Sequence, residues 1–243
     1  RRMLALAGCV QPSLAPNINA ATAWVFSRLG IDLFEEAKAG CCGAVRFHLN
    51  DHEAAKKDMR RNIDAWWPHI EAGVEAIVVT ASGCGVQVRE YAHILADDTV
   101  YAEKAAKISS LSRDPSEVLA GEKAALLPLL AARPERRGKL AFHSPCTLQH
   151  GLQIRGSIEV LLQSAGYDLT PVADSYLCCG SAGTYSVLQP ELAGMLRANK
   201  LAALNAGGPA LAATANIGCL THLQAGSSLP VRHWIELIDE VIA

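Results

Sequence analysis

Eight cysteines carry most of the chemistry available to this chain of 243 residues: Cys9, Cys41, Cys42 and Cys84, then Cys146, Cys178, Cys179 and Cys219. Their spacing repeats. Cys9 lies 32 residues before Cys41 and Cys146 lies 32 before Cys178, and the closing cysteine follows the adjacent pair by 42 residues in the first set and 40 in the second. Four thiolates per set meet the ligand count of an iron–sulfur cluster or of a tetrahedral zinc site, and they do not suit the hard cations calcium and magnesium. The adjacent pair favours a cluster, because consecutive thiolates sit awkwardly around one zinc ion, whereas several irons offer separate positions to neighbouring sulfurs. Two plainer explanations are burial as small apolar side chains and disulfide bonding. Burial calls for no repeated spacing, and a chain this long with 50% hydrophobic residues can build a core without staples.

A period of about half the chain means duplication, so each half is read as a unit. In the first, residues 3–7 form a short apolar strand, and residues 17–29 a helix stopped by Gly30. Residues 31–34 form a strand leading to Cys41-Cys42-Gly43. A long amphipathic helix over 51–72 follows, with a break or kink at Pro68, and then a β-branched strand over 76–80. The second half repeats the order with strands at 140–143, 169–172 and 211–215 and helices at 157–164 and 190–205, and it adds a strand at 229–233 and a helix at 234–242. Residues 102–131 read as helical, and Pro134-Glu135-Arg136-Arg137-Gly138 as a polar linker. The expected fold class is α/β: two pseudo-symmetric Rossmann-like lobes with parallel sheets, related by internal duplication. The expected domains are 1–100, a helical segment and linker at 101–138, and 139–243. Every cysteine then falls at or just past the carboxyl end of a strand, the edge where open α/β sheets bind ligands.

This doubled pattern of cysteine, Cys-Cys-Gly and closing cysteine resembles the CCG (cysteine-rich) domain of heterodisulfide reductase and of the iron–sulfur subunits of glycolate oxidase, lactate-utilisation and anaerobic glycerol-3-phosphate dehydrogenase systems. The longer strings look most like the glycolate oxidase (glycolate dehydrogenase) iron–sulfur subunit: Gly8-Cys9-Val10-Gln11-Pro12, Asn62-Ile63-Asp64-Ala65-Trp66-Trp67-Pro68, Ala81-Ser82-Gly83-Cys84-Gly85, Cys146-Thr147-Leu148-Gln149-His150 and Leu177-Cys178-Cys179-Gly180-Ser181-Ala182-Gly183-Thr184-Tyr185 among them. The resemblance implies an iron–sulfur cluster of 4Fe–4S type on the eight cysteines, with zinc as the alternative metal. It also implies an FAD-bearing partner subunit that oxidises glycolate to glyoxylate, and a quinone-type electron acceptor. No catalytic residue is implied in this chain. A lactate or glycerol-3-phosphate dehydrogenase subunit, or a zinc-stabilised assembly subunit, is the alternative.

Two departures qualify the resemblance. Where heterodisulfide reductase closes with Cys-x-x-Cys, this chain has Gln87 and His222 at the second position, so each set offers four cysteines. The N-terminal ferredoxin-like domain of the glycolate oxidase subunit does not occur, and the chain reads as the C-terminal piece of a longer subunit. His143 and His222 flank the second set, three residues before Cys146 and three after Cys219, where the first set has Leu6 and Gln87. They are candidate extra ligands or hydrogen-bonding neighbours, with Gln87, and the two sites are not expected to be equivalent. His48, His52, His69 and His93 read as surface residues. Trp66-Trp67 is either a partner-binding patch or, for at least one ring, core.

Composition narrows the remaining classes. With 22 basic and 24 acidic residues the net charge is −2, so nucleic acid is not an expected partner. No run approaches the roughly 20 apolar residues of a membrane span, and no signal peptide is evident. A cytoplasmic location, or a peripheral one on the inner face of the plasma membrane, is expected. Gly83-x-Gly85 lacks the third glycine of a dinucleotide loop, and no phosphate-binding Gly-x4-Gly-Lys motif occurs.

Overall fold

A computed structural model describes residues 1–133 and 136–243, so Pro134 and Glu135 of the anticipated linker lie outside the described residues. The chain divides into two compact units, Arg1–Val118 and Leu119–Ala243. The segment 101–138 is therefore shared between them.

The first unit is built on a four-stranded parallel sheet of β1 (Arg2–Ala5), β2 (Asp32–Glu35), β3 (Ile77–Val78) and β4 (Ser112–Arg113), in the order β2-β1-β3-β4. Leu4 is in register with Phe34 on one side and Ile77 on the other. The helix His52–Glu71 closes one face. Its Ala55, Met59, Ile63 and Trp66 fall on one helical stripe and are fully buried with Leu4, Ile77 and Tyr91, each large apolar side chain contributing about 1.5–3 kcal/mol. Asp51 caps this helix by accepting the Ala54 N–H at 3.4 Å, and the helix runs through Pro68 to Glu71. Trp66 is core, whereas Trp67 is half-buried and donates its indole N–H to Glu71 at 2.8 Å.

The second unit repeats the plan with β5 (Lys139–His143), β6 (Asp168–Leu169), β7 (Leu211–Thr214) and β8 (Val231–His233), in the order β6-β5-β7-β8. All neighbours are parallel, with His143 opposite Thr214 and Thr214 opposite His233. Ala141, Leu204, Ala212, Leu223 and Val231 form its core together with Cys179 and Cys219. The α/β class, the parallel sheets and the similarity of the halves are as the sequence pattern predicts.

One element departs from expectation. The segment 102–131 is not a single helical stretch: Ala102–Leu111, Pro115–Gly121 and Lys123–Ala131 are helices, and β4 between the first two is the fourth strand of the first sheet. It is two residues long and carries no apolar alternation, so periodicity could not reveal it. In both sheets the strand order reverses direction about the first strand. The crevice outside the carboxyl ends of the first and third strands is then the topological switch point.

Candidate metal centres

Each set of cysteines converges on that crevice. Cys9 follows β1 across Gly8, a residue at φ 79°. Cys41 and Cys42 follow β2 and end at Gly43, whose φ of 89° turns the chain back and whose N–H points at the Cys41 Sγ at 3.5 Å. Cys84 follows β3 in the first turn of the helix Ser82–Arg89. Asn62, on the buried face of the long helix, clamps the loop: its Oδ1 accepts the Gly40 N–H at 2.8 Å and its Nδ2 donates to the Cys41 carbonyl at 2.8 Å. The buried Tyr91 hydroxyl donates to the Cys42 carbonyl at 2.9 Å. Beneath Cys9, Gln11 bonds to Thr80 and Asn19, both at 2.7 Å.

The sulfurs interact as a chain, Cys9 to Cys41 to Cys42 to Cys84. Charge settles on Cys41. The thiols of Cys42 and Cys9 donate to it, and with the Gly43 N–H and the Arg46 guanidinium they hold its pKa down at about 2. The same contacts push Cys9 and Cys42 up, because each must keep its proton to donate it, and burial adds to this.

The second set is laid out likewise. Cys146 follows β5, Cys178 and Cys179 end at Gly180 with φ 91°, and Cys219 lies in the first turn of the helix Ile217–Gln224. The Gly180 N–H points at the Cys178 Sγ at 3.3 Å. Thiols of Cys146 and then Cys179 hold the Cys178 pKa down at about 2, while Cys146 and Cys179 are themselves pushed up. Here a second thiol is also held low: Cys219, by Cys179 first and then by His143 and Asn216 against the cost of burial. The Asn216 amide is 3.6 Å from the Cys219 Sγ.

The residues beside the sulfurs set the two sites apart. His143 is 1% exposed, and a ring nitrogen lies within 4.8 Å of the Sγ atoms of both Cys179 and Cys219. The Cys219 sulfur is the neighbour its ring acts on, and neither ring nitrogen has a partner at full hydrogen-bonding geometry. Leu6 occupies the corresponding place in the first unit and is buried core. His222 is half-buried and its Nε2 faces the Ala193 carbonyl at 3.3 Å, so it bonds to the long helix of its unit. Gln87 is buried with its Nε2 unpartnered. His48, His52 and His93 are exposed, whereas His69 is half-buried against Glu36 at 2.8 Å. That pairing holds the Glu36 carboxyl below its ordinary range.

All eight cysteines are free thiols, so neither set is consumed by a disulfide and both present the soft donors that iron–sulfur clusters and zinc take. Cys9 is exposed, Cys41, Cys84, Cys146 and Cys178 are half-buried, and Cys42, Cys179 and Cys219 are buried, so the first set runs from the protein interior to its surface and the second lies deeper. Sequence reasoning missed Asn62, Tyr91 and Lys200 as residues that hold or surround the cysteine loops. For Asn62 a signal existed: it is an amide on the same stripe as Ala55, Met59, Ile63 and Trp66.

The family model described as CCG, cysteine-rich domain, matches twice, at residues 3–89 and 140–224. The chain is 52% identical over 242 residues to the glycolate oxidase iron-sulfur subunit of Escherichia coli (strain K12), covering 100% of this chain and 58% of that protein. It is 29% identical over 228 residues to the probable glycolate oxidase iron-sulfur subunit of Bacillus subtilis (strain 168), covering 93% of this chain and 50% of that one. Lactate utilization protein A of Exiguobacterium sp. is 24% identical over 238 residues, 96% of this chain and 94% of the relative. The chain thus spans little more than half the length of the first two relatives.

Proposed function

The chain belongs to the CCG cysteine-rich domain family, and from that premise we propose that it is the iron–sulfur electron-transfer region of a glycolate oxidase (glycolate dehydrogenase) complex. Cys9, Cys41, Cys42 and Cys84 hold one cluster and Cys146, Cys178, Cys179 and Cys219 hold a second, both of 4Fe–4S type. The sulfur chain formed twice, at the same place on two similar sheets, supports this reading most strongly. The 52% identity to a relative named as an iron-sulfur subunit supports it independently.

A bound cluster supplies one-electron transfer. The protein's own residues do the rest. Asn62 and Tyr91 take up the carbonyls of Cys41 and Cys42 and so fix the loop that presents the two sulfurs. Gly43 and Gly180 direct their N–H groups at Cys41 and Cys178, and such bonds to a coordinating sulfur favour its charged form. Buried Cys42, Cys179 and Cys219 keep the inner side of each site from water, and exposed Cys9 brings the first site to the surface, where a redox partner can approach. Oxidation of a hydroxy acid is hydride chemistry and needs an organic two-electron carrier, which FAD on a partner subunit would supply. Clusters held by the two cysteine sets would pass those electrons on singly toward a quinone-type acceptor. A ferredoxin-like domain in the longer subunit would complete the relay, in the cytoplasm or on the inner face of the plasma membrane. No helix among the described residues is long and apolar enough to cross a membrane.

A lactate-oxidising system is the second reading, favoured by the 94% coverage of lactate utilization protein A. Dye reduction by the complex reconstituted with its flavin subunit separates the two. Glycolate-dependent reduction that lactate and glycerol 3-phosphate do not support is expected. Reduction by lactate alone would transfer the assignment to the second reading.

A further inference from the structure

The duplication gives this protein an internal control for the surroundings of each cysteine set. A Cβ built on Gly43 would lie 3.1 Å from the Ala55 carbonyl oxygen, and one on Gly180 would lie 2.5 Å from that of Ala193. These contacts match the helix His52–Glu71 with the helix Pro190–Asn205, Ala55 corresponding to Ala193. Seven residues further along each helix, Asn62 in the first unit corresponds to Lys200 in the second. Both side chains are buried, at 0% and 2% exposure.

Both residues bond to the loop that carries their cysteine pair, at different places. Asn62 donates to the Cys41 carbonyl at 2.8 Å, and the Lys200 ammonium donates to the carbonyls of Asp174 at 3.0 Å and Ser175 at 3.4 Å, in the loop that leads to Cys178. A buried ammonium is far more costly to desolvate than an amide, and these hydrogen-bond partners are neutral carbonyls. What the lysine adds is a full positive charge beside Cys178 and Cys179. Burial draws its pKa down, while the charges of Cys179 and Cys178, and after them Asp174 and Cys219, oppose that shift, so ammonium and sulfurs sense one another.

We propose that Lys200 is a positioning residue of electrostatic kind, whose buried ammonium makes the second cluster easier to reduce than it would be with a neutral residue such as Asn62 in that place. The proposal rests on the cluster assignment above. Reduction adds one electron, and so one negative charge, to a cluster already surrounded by thiolates; no bond is made or broken. A fixed cation in a poorly screened interior stabilises the reduced state and raises the potential.

The test is a redox titration of the full-length, anaerobically purified protein, poised with dithionite and mediators and followed by electron paramagnetic resonance. Cys84→Ser and Cys219→Ser assign the signals by removing one centre each. Lys200→Asn is expected to shift the second centre's one-electron equilibrium about tenfold toward the oxidised state, about 59 mV, and to leave the first centre unmoved. Lys200→Arg keeps the charge and should keep the original potential. The reciprocal Asn62→Lys should raise the first centre alone. An unmoved second centre in Lys200→Asn, with iron and sulfide retained, overturns the proposal. Should that variant lose its cluster, Asn62→Lys decides, and an unmoved first centre then overturns it. Loss of cluster from all three variants with the fold intact by circular dichroism makes these residues structural only and overturns it too. Absence of iron and sulfide from the unaltered protein would instead defeat the cluster assignment itself.

Discussion

Cys41 and Cys178 are thiols held low in pKa, each flanked by thiols that are pushed up and by the N–H of the following left-handed glycine. If the sets are independent centres, Cys41→Ser should remove the iron bound by the first and Cys178→Ser that bound by the second, each leaving about half of the total iron by metal analysis; loss of all iron from either variant would mean one shared centre. His143 poses a sharper choice. Replacing it with leucine, the residue at the corresponding position 6, takes the ring away from the Cys219 sulfur. The spectrum of the second centre should change while that of the first does not. An unaltered spectrum would assign His143 to the core. The cysteines and His143 were legible in the sequence because spacing survives duplication. Asn62 and Lys200 were not, because one polar residue on an apolar helical stripe looks like an irregularity of pattern until the loop it bonds is seen.

The turns after the cysteine pairs are where single atoms matter at the scale of an element. A Cβ on Gly180 would meet the Ala193 carbonyl at 2.5 Å and φ is 91°, whereas on Gly43 the closest approach, to Ala55, is 3.1 Å. Gly180→Ala is expected to destabilise the second unit by about 1–3 kcal/mol in urea unfolding of the metal-free protein, and Gly43→Ala to cost less. Equal effects would show that the loops yield to the helix alike. Asp114 supplies the pH dependence. It precedes the helix Pro115–Gly121, its Oδ1 accepts the N–H and O–H of Ser116 at 2.8 and 2.6 Å, and burial raises its pKa from 3.8 to about 6. A carboxyl whose pKa is raised in the native state favours folding most below pH 4. That contribution is lost as the pH climbs to about 6, a change of about 3 kcal/mol. Asp114→Asn keeps the Oδ1 acceptor and should flatten the stability profile of the first unit across that window; an unchanged slope would mean that another group titrates there. Strands β1 and β5 were readable as apolar runs, whereas β4 owes its existence to pairing with β3, a non-local cause that leaves no local period.

The molecule as a whole consists of two similar α/β units, each with a cysteine set at the switch point of its sheet. Duplication explains why one arrangement occurs twice, and the substitutions Leu6 to His143 and Asn62 to Lys200 show that the copies have since diverged beside the sulfurs. Two donor sets of the same kind with different surroundings suit a relay better than a brace, because a purely structural metal has no use for a graded environment. The decisive comparison is therefore the metal content of the unaltered protein, purified without oxygen and assayed for iron, acid-labile sulfide and zinc alongside its visible absorbance. Iron and sulfide in cluster proportion, with absorbance bleached by dithionite, is the expected result. Zinc without sulfide, and no visible absorbance, would contradict electron transfer by this chain.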